Sequence, residues 1–227
     1  MHDYQEDFIH FARERGVLSF GQFTLKSGRI SPYFFNSGLF NSGVALSRLG
    51  RCYAEALARA HIDFDLVFGP AYKGIPLATA LSMATAEISN RDLAYAFDRK
   101  EAKDHGEGGE IVGAPLAGRR TVIIDDVISS GGSIRAAANR ICAAGGHVAA
   151  IAIALDRMER GSGDVSAVAE VEEATGAPVI AIISLDHIAA YLAERPEDKE
   201  TLAAIRTYRR QYGADSAPPT HAVLDTQ

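Results

Sequence analysis

Cysteine is scarce in this chain. The two present, Cys52 and Cys142, fall within helical patterns and have neither C-x-x-C spacing nor partner histidines for zinc, so they read as plain buried thiols. No run of about 18 apolar residues occurs, so no membrane-spanning helix is expected. The opening Met1-His2-Asp3-Tyr4-Gln5-Glu6 lacks the basic and then apolar profile of a signal peptide, and cytoplasmic residence is the default expectation. Positive charge is also short: Lys and Arg number 23 against 29 Asp and Glu, a net charge of −6. That balance disfavours nonspecific binding to nucleic acid or anionic membrane, so a polyanionic ligand must find a local cluster of cations. Neither a Gly-x-x-x-x-Gly-Lys-Ser/Thr run nor a Gly-x-Gly-x-x-Gly run is present, which speaks against a nucleotide triphosphatase or a dinucleotide fold.

What is present is organised around residues 121–133. Val122, Ile123 and Ile124 form a β-branched run without polar alternation, as in a strand buried on both faces of a parallel sheet. Asp125 and Asp126 then surface at its C-terminal end, which in open α/β sheets faces the ligand crevice. Neighbouring strand side chains point to opposite faces, so at most one of the two acids faces a given wall. Ser129, Ser130, Gly131, Gly132 and Ser133 follow with little side chain in front of their N–H groups. Ile134, Ala138, Ile141 and Cys142 recur at helical spacing, so this loop feeds a helix N-terminus, which attracts an anion. Acid pair and anion cradle together suit a ribose phosphate, the carboxylates accepting hydrogen bonds from vicinal hydroxyls. A strand-to-helix turn with Asp and Ser acting only as caps accounts for the same residues, and this stretch alone leaves the two readings even.

With 227 residues and 47% hydrophobic content, the chain can bury a full core. Strand patterns at Phe64–Phe68, Leu93–Phe97, Val122–Ile124, His147–Leu155 and Val179–Ser184 alternate with helical ones, which predicts an α/β fold with a doubly wound, mostly parallel sheet flanked by helices. Asp3 with Glu6 resembles a capping pair for a helix over residues 3–15. Phe23 to Asn36 lies outside the alternation and reads as an aromatic hairpin leaning over the sheet as a small N-terminal hood. The expected organisation is one domain over 1–213, with the hood at about 1–40 and the core at about 41–213, then a flexible tail at 214–227. The loop Gly69-Pro70-Ala71-Tyr72-Lys73-Gly74 opens a helix, and Lys73 there suits a diphosphate or is simply solvated. Asp98 to Glu110 breaks every period and reads either as a solvated surface loop or as a lid. By strand physics alone Phe34 and Phe35 are packing residues and Lys26 and Arg29 surface charges. Arg157, just past a strand end, is a further crevice candidate.

Val122 to Ser133 resembles the phosphoribosyl-diphosphate (PRPP) signature of the type I phosphoribosyltransferases. Lys26-Ser27-Gly28-Arg29, Ser31-Pro32-Tyr33-Phe34-Phe35-Asn36, Gly69 to Pro76, Arg99 to Gly106 and Leu155-Asp156-Arg157 extend the likeness to the bacterial orotate phosphoribosyltransferase family, over residues 1 to about 213. The resemblance implies the type I fold and transfer of the phosphoribosyl group from PRPP to orotate, giving orotidine 5′-monophosphate and diphosphate for pyrimidine biosynthesis. It implies that Lys26, Tyr72, Lys73 and Lys100 hold PRPP, while Asp125, Asp126, Val127, Ile128, Ser129, Ser130, Gly131, Gly132 and Ser133 cradle its ribose 5-phosphate. Arg99, Lys103 and His105 would reach across from the other subunit of a homodimer. Phe34, Phe35, Ser129 and Arg157 would contact orotate, which reverses the packing reading of the two phenylalanines. Lys103, Lys73, Asp125 and Asp126 become the catalytic candidates. Mg²⁺ would ride on the diphosphate and water without a direct protein ligand, and neither nucleic acid nor membrane is an expected partner.

One departure stands out: the family commonly has Thr first in the loop followed by Ala-Gly-Thr, where this chain has Ser129 and then Ser130-Gly131-Gly132. Serine keeps the hydroxyl, so tuning rather than loss is expected. Two rivals remain. A phosphoribosyltransferase for another base is disfavoured by the Phe34–Phe35 hairpin. A PRPP-sensing regulator calls for a DNA-reading segment or a degraded lid, and the sequence displays neither.

Overall fold

Val122, Ile123 and Ile124 are all 0% exposed, yet they feed two different cores. Strand alternation sends Val122 and Ile124 to one face, among Phe8, Leu49, Leu81, Ile188 and Ile205. Ile123 goes to the other, among Leu66, Phe68, Ile134, Ile141 and Val171. A strand clothed on both sides needs helices on both sides, and that requirement sets the architecture.

The computed structural model describes residues 1–25, 28–103, 109–161 and 163–214, with the backbone alone at 100–103 and 109. In chain order the elements are α1 (Asp3–Glu14), β1 (Leu18–Thr24), β2 (Ile30–Phe35), α2 (Gly43–Arg59), β3 (Leu66–Gly69), α3 (Gly74–Ser89), β4 (Ala94–Lys103), β5 (Gly109–Gly113), β6 (Arg120–Ile124), α4 (Gly132–Ala143), β7 (His147–Asp156), α5 (Ala167–Thr175), β8 (Val179–Ser184), α6 (Leu185–Ala193) and α7 (Lys199–Tyr212). Six strands form the main sheet in the order β5-β4-β3-β6-β7-β8. All neighbours in it are parallel except β4 and β5. The doubly wound, mostly parallel sheet expected from the sequence is therefore present. The strand order reverses between β3 and β6, so the loops leaving these two strands open away from each other and leave a crevice between them.

β1 and β2 form a separate antiparallel pair, packed against α1 and α7. Asn36 N–H donates to the Val17 carbonyl at 2.7 Å, which closes the chain around this pair. Helix ends follow local chemistry: the Ser42 and Ser166 hydroxyls accept from the third amides of α2 and α5 at 3.3 and 3.0 Å. The start of α1 differs from expectation, because His2 rather than Asp3 is the cap and Gln5 Oε1 accepts from His2 N–H at 2.9 Å. Gln5 is buried, and its amide nitrogen donates to the Ile182 carbonyl at 2.9 Å, so the helix start is pinned to β8.

The stretch 98–110 also departs from expectation. β4 continues to Lys103 and pairs antiparallel with β5, with Lys103 opposite Gly109, so much of the presumed loop is a two-stranded ribbon. The pairing is irregular between Asp98, opposite Ile111, and Lys103, so the ribbon is bulged where the sequence is charged and without periodicity. Residues 104–108 lie outside the described residues, as does the expected tail apart from Ala214. Cys52 is buried and its thiol is pushed up to about 12 by desolvation, whereas Cys142 is exposed and not the buried thiol anticipated. Among the described residues no helix is long and apolar enough to cross a membrane.

Helices α2 and α3 approach closely where Gly50 faces α3. A Cβ on Gly50 would meet the Ala80 carbonyl oxygen and lie 2.6 Å from its carbon. Gly50→Ala is therefore expected to lower stability by about 1–3 kcal/mol, read from the urea midpoint, because backbone rather than a flexible side chain must yield.

Candidate active site at the sheet reversal

Asp126 is the meeting point of three separate segments. Its Oδ2 accepts from Lys73 Nζ at 2.7 Å and from the Ser37 hydroxyl, and its Oδ1 accepts from Val127 N–H at 2.9 Å. Ser37 follows β2, Lys73 precedes α3, and Val127 follows β6. The carboxylate thus binds the end of the aromatic hairpin and the loops on both sides of the crevice.

Asp125 is turned differently. Its Oδ1 accepts from Asp126 N–H at 2.9 Å and its Oδ2 from the Ser133 hydroxyl at 3.1 Å, so it faces the small-residue loop. Tyr53 of α2, 1% exposed, donates its hydroxyl to the Asp125 carbonyl at 2.8 Å and props the strand end from below. The two acids hold unequal protons. Burial, then the charge of Asp126, pushes Asp125 up to about 6. Burial also raises Asp126, but the hydrogen bonds from Lys73 and Ser37, the Lys73 charge and the Val127 amide outweigh it, and its carboxyl sits below the ordinary value. Stability contributed by Asp125 is therefore full below the ordinary aspartate range and fades as pH rises towards 6. That from Asp126 is present at neutral pH and is lost on acidification through its lowered pKa.

Loop 127–133 joins β6 to α4. Ser129 and Ser130 are exposed, whereas the Ile128 side chain is 6% exposed and anchored in the core around α4, so only its backbone can face a ligand. Gly131 has φ +68°, and α4 has no side chain capping its start, which leaves first-turn amides for an anion. A Cβ on Gly131 would collide with Val171 Cγ2 and come within 2.9 Å of Arg135 Nη1. The same Arg135 donates to the Ser130 carbonyl.

Across the crevice, Gly69 and Gly74 pack backbone to backbone in the loop between β3 and α3. The Ala71–Tyr72 peptide bond there is cis. Tyr72 is 68% exposed, and Ala71 N–H donates to Asp98 Oδ1 at 2.6 Å. Arg140 of α4 approaches the second Asp98 oxygen at 3.1 Å, so the β3–α3 loop, β4 and the helix behind the anion loop share one buried carboxylate. Arg99 is half-buried on β4.

The hairpin places its two phenylalanines on opposite faces. Phe35 is 7% exposed and packs edge-on against Phe40, whereas Phe34 is 39% exposed and stacks on Phe23 at 5.5 Å. Arg157 lies over the ring of buried Tyr33 at 5.0 Å, on the Tyr33 side of β2 rather than that of Phe34. Lys26 and His105 lie outside the described residues, as do the side chains of Lys100 and Lys103. Sequence reasoning missed Ser37, Tyr53 and Asp98. Only Asp98 had a legible signal, an acid at the end of a strand beside the expected lid.

The paired acids and the backbone anion loop thus both leave β6 at the reversal point of a mostly parallel sheet, with Lys73 of the β3–α3 loop facing them across the crevice. The family model described as "Phosphoribosyl transferase domain" matches residues 45–187. A relative from Halorhodospira halophila named orotate phosphoribosyltransferase is 71% identical over 214 residues, covering 94% of this chain and all of that protein. One of the same name from Pseudomonas aeruginosa is 60% identical over 213 residues, with 94% of this chain and all of the relative covered. The crystal structure of orotate phosphoribosyltransferase from Francisella tularensis superposes with a TM-score of 0.84 at 39% identity, over 92% of this chain and 100% of that one. The chain belongs to the orotate phosphoribosyltransferase family.

Replacing Asp126 by Asn removes the like charge next to Asp125 but not its burial. In Asp126→Asn the Asp125 titration, near pH 6 in the parent, is expected to move to lower pH in a carboxyl-carbon NMR titration. An unmoved midpoint would mean that desolvation alone sets it.

Proposed function

We propose that this protein joins orotate to the phosphoribosyl group of PRPP, forming orotidine 5′-monophosphate and releasing diphosphate. The observation that carries this reading is the convergence of Asp125, Asp126 and loop 127–133 at the sheet reversal of a chain in this family. The 5-phosphate suits the amides of Val127 to Ser133 at the start of α4, with the Ser129, Ser130 and Ser133 hydroxyls beside them. Asp125 and Asp126 accept hydrogen bonds from the ribose hydroxyls.

Lys73 is held by Asp126 only from the solvent side, its side chain 63% exposed, and an ion pair of that kind is weak enough to exchange partners. It moves to the diphosphate as PRPP enters, with Lys26, Tyr72 and Lys100 completing that subsite. Phe34 offers its exposed ring to the pyrimidine while Phe35 anchors the strand from the core side, and Ser129 and Arg157 contact orotate. The orotate nitrogen gives up its proton and bonds to the anomeric carbon as the carbon–diphosphate bond breaks; diphosphate leaves with the electron pair, and its oxygens can take up the proton. Negative charge grows on the leaving group, where Lys73 and Lys103 stabilise it.

Among the described residues no group of three or more His, Cys, Asp or Glu is placed to hold a metal. Mg²⁺ keeps several waters and favours phosphate oxygens, so the diphosphate itself suits it better than Asp126, which already accepts from Lys73, Ser37 and Val127. Bound there, it would neutralise leaving-group charge. The reading takes the active unit to be a homodimer in which Arg99, Lys103 and His105 serve the neighbouring subunit, with residues 1–40 as hood and 41–213 as core. PRPP and orotidine 5′-monophosphate are too highly charged to cross a bilayer unaided, which favours the cytoplasm as the compartment.

The decisive assay follows orotate absorbance with PRPP and Mg²⁺, beside adenine, guanine and uracil controls; loss of signal only with orotate supports the assignment, and failure with every base removes it. Lys103→Ala is expected to fold normally and to lose roughly 10²- to 10³-fold in turnover. Mixing Lys103→Ala with an Asp125→Asn/Asp126→Asn double variant should restore part of the activity through hybrid dimers. No recovery despite demonstrated subunit exchange would mean that each subunit works alone.

A further inference from the structure

Five donor atoms from four side chains converge on Glu159. Its Oε1 accepts from Arg157 Nε at 2.9 Å and Nη2 at 2.6 Å, from the Tyr208 hydroxyl at 3.0 Å and from the Tyr33 hydroxyl at 3.4 Å. Its Oε2 meets Arg29 Nη1 at 3.4 Å. The Arg157 and Glu159 side chains are only 14% and 13% exposed, so this is not a solvated surface pair.

The backbone explains how residues two apart come to face each other. Met158 between them has φ +53°, and its N–H donates to Asp156 Oδ1 at 2.8 Å. The turn is then clamped to the end of α7: Arg160 N–H donates to the Tyr212 carbonyl at 3.0 Å and Ala214 N–H to the Met158 carbonyl at 3.1 Å. Tyr33 lies beneath the guanidinium at 5.0 Å. Arg157 therefore has its Nε edge engaged, one face of its guanidinium plane covered and its base fixed.

A guanidinium has five N–H donors in a rigid plane, and engaging its Nε side leaves the Nη1 and outer Nη2 donors as a fork that matches a carboxylate. Glu159 sits between two arginines, Arg29 and Arg157, so it does not cancel the positive charge of the pair. We propose that Glu159 is a positioning residue that aims the Arg157 fork at the carboxylate of orotate, with Tyr208 of α7 and Tyr33 of the hairpin holding the glutamate in turn. This rests on the orotate reading above and specifies which end of the base Arg157 meets.

The test compares wild type, Glu159→Gln, Tyr208→Phe and Arg157→Lys in steady-state kinetics with each substrate varied, alongside thermal melts. Gln keeps an acceptor but drops the charge that orients Arg157. Glu159→Gln is expected to raise KM for orotate about 10-fold while KM for PRPP stays within about 2-fold. Tyr208→Phe removes one hydroxyl and should shift the orotate KM a few-fold in the same direction. Combining Glu159→Gln with Arg157→Lys should add little to Arg157→Lys alone, because the first acts through the second.

An unchanged orotate KM in folded Glu159→Gln, an equal rise in both KM values, or full additivity of the pair overturns the proposal. Should Glu159→Gln fail to fold, Tyr208→Phe decides by the same split in KM. A wild-type protein that does not consume orotate at all would instead remove the functional reading, so the two failures are distinct.

Discussion

One buried carboxylate holds the working parts together. Asp126 accepts from Ser37 after the hairpin, Lys73 ahead of α3 and Val127 after β6, so three pieces of chain far apart in sequence share a single acceptor. An unpaired buried carboxylate is costly, and Ser37 and Val127 keep donating to Asp126 whether or not the exposed Lys73 does. The position of the hairpin over the crevice therefore follows from the contacts at the sheet reversal. The sheet reversal supplies the location, and the acid supplies the junction.

The neighbouring acid shows how much a strand's alternation can do. Asp125 and Asp126 are adjacent and similarly buried, but opposite orientation gives one a lysine and a hydroxyl and the other a loop serine and a backbone amide. Their proton affinities are driven apart, one above and one below the usual aspartate value. Side by side at the strand end, one carboxyl holds its charge to lower pH than usual and the other keeps its proton up to about pH 6.

Most of the architecture was legible in the residues themselves. Continuous β-branched runs such as Val122–Ile124 announce a strand covered on both faces, and their alternation with helical spacing leads to a doubly wound sheet. Asp125, Asp126 and the loop after them were legible because a strand end, an acid pair and small residues are contiguous. What escaped was assembled from distant segments. Ser37 and Glu159 lie among residues with no periodicity, and their partners are 89 and 49 positions away for Asp126 and Tyr208 respectively. The ribbon of β4 and β5 escaped for another reason: antiparallel pairing satisfies backbone groups whatever the side chains, so a charged, irregular sequence carries no strand signature. Phe34 and Phe35 look equivalent in sequence and are separated only once the register of β2 puts one in the core.

The glycine just before α4 carries a consequence for how this loop can diversify. Behind position 131 stands a valine from a different helix, and beside it a guanidinium already engaged with the preceding carbonyl. Neighbouring positions 129, 130 and 132 look outward and have room to drift between small polar residues. Position 131 is walled in from the rear, so natural variants of this protein should vary around it and leave it alone. The boundary of tolerated change in the loop is thus drawn from behind by α5.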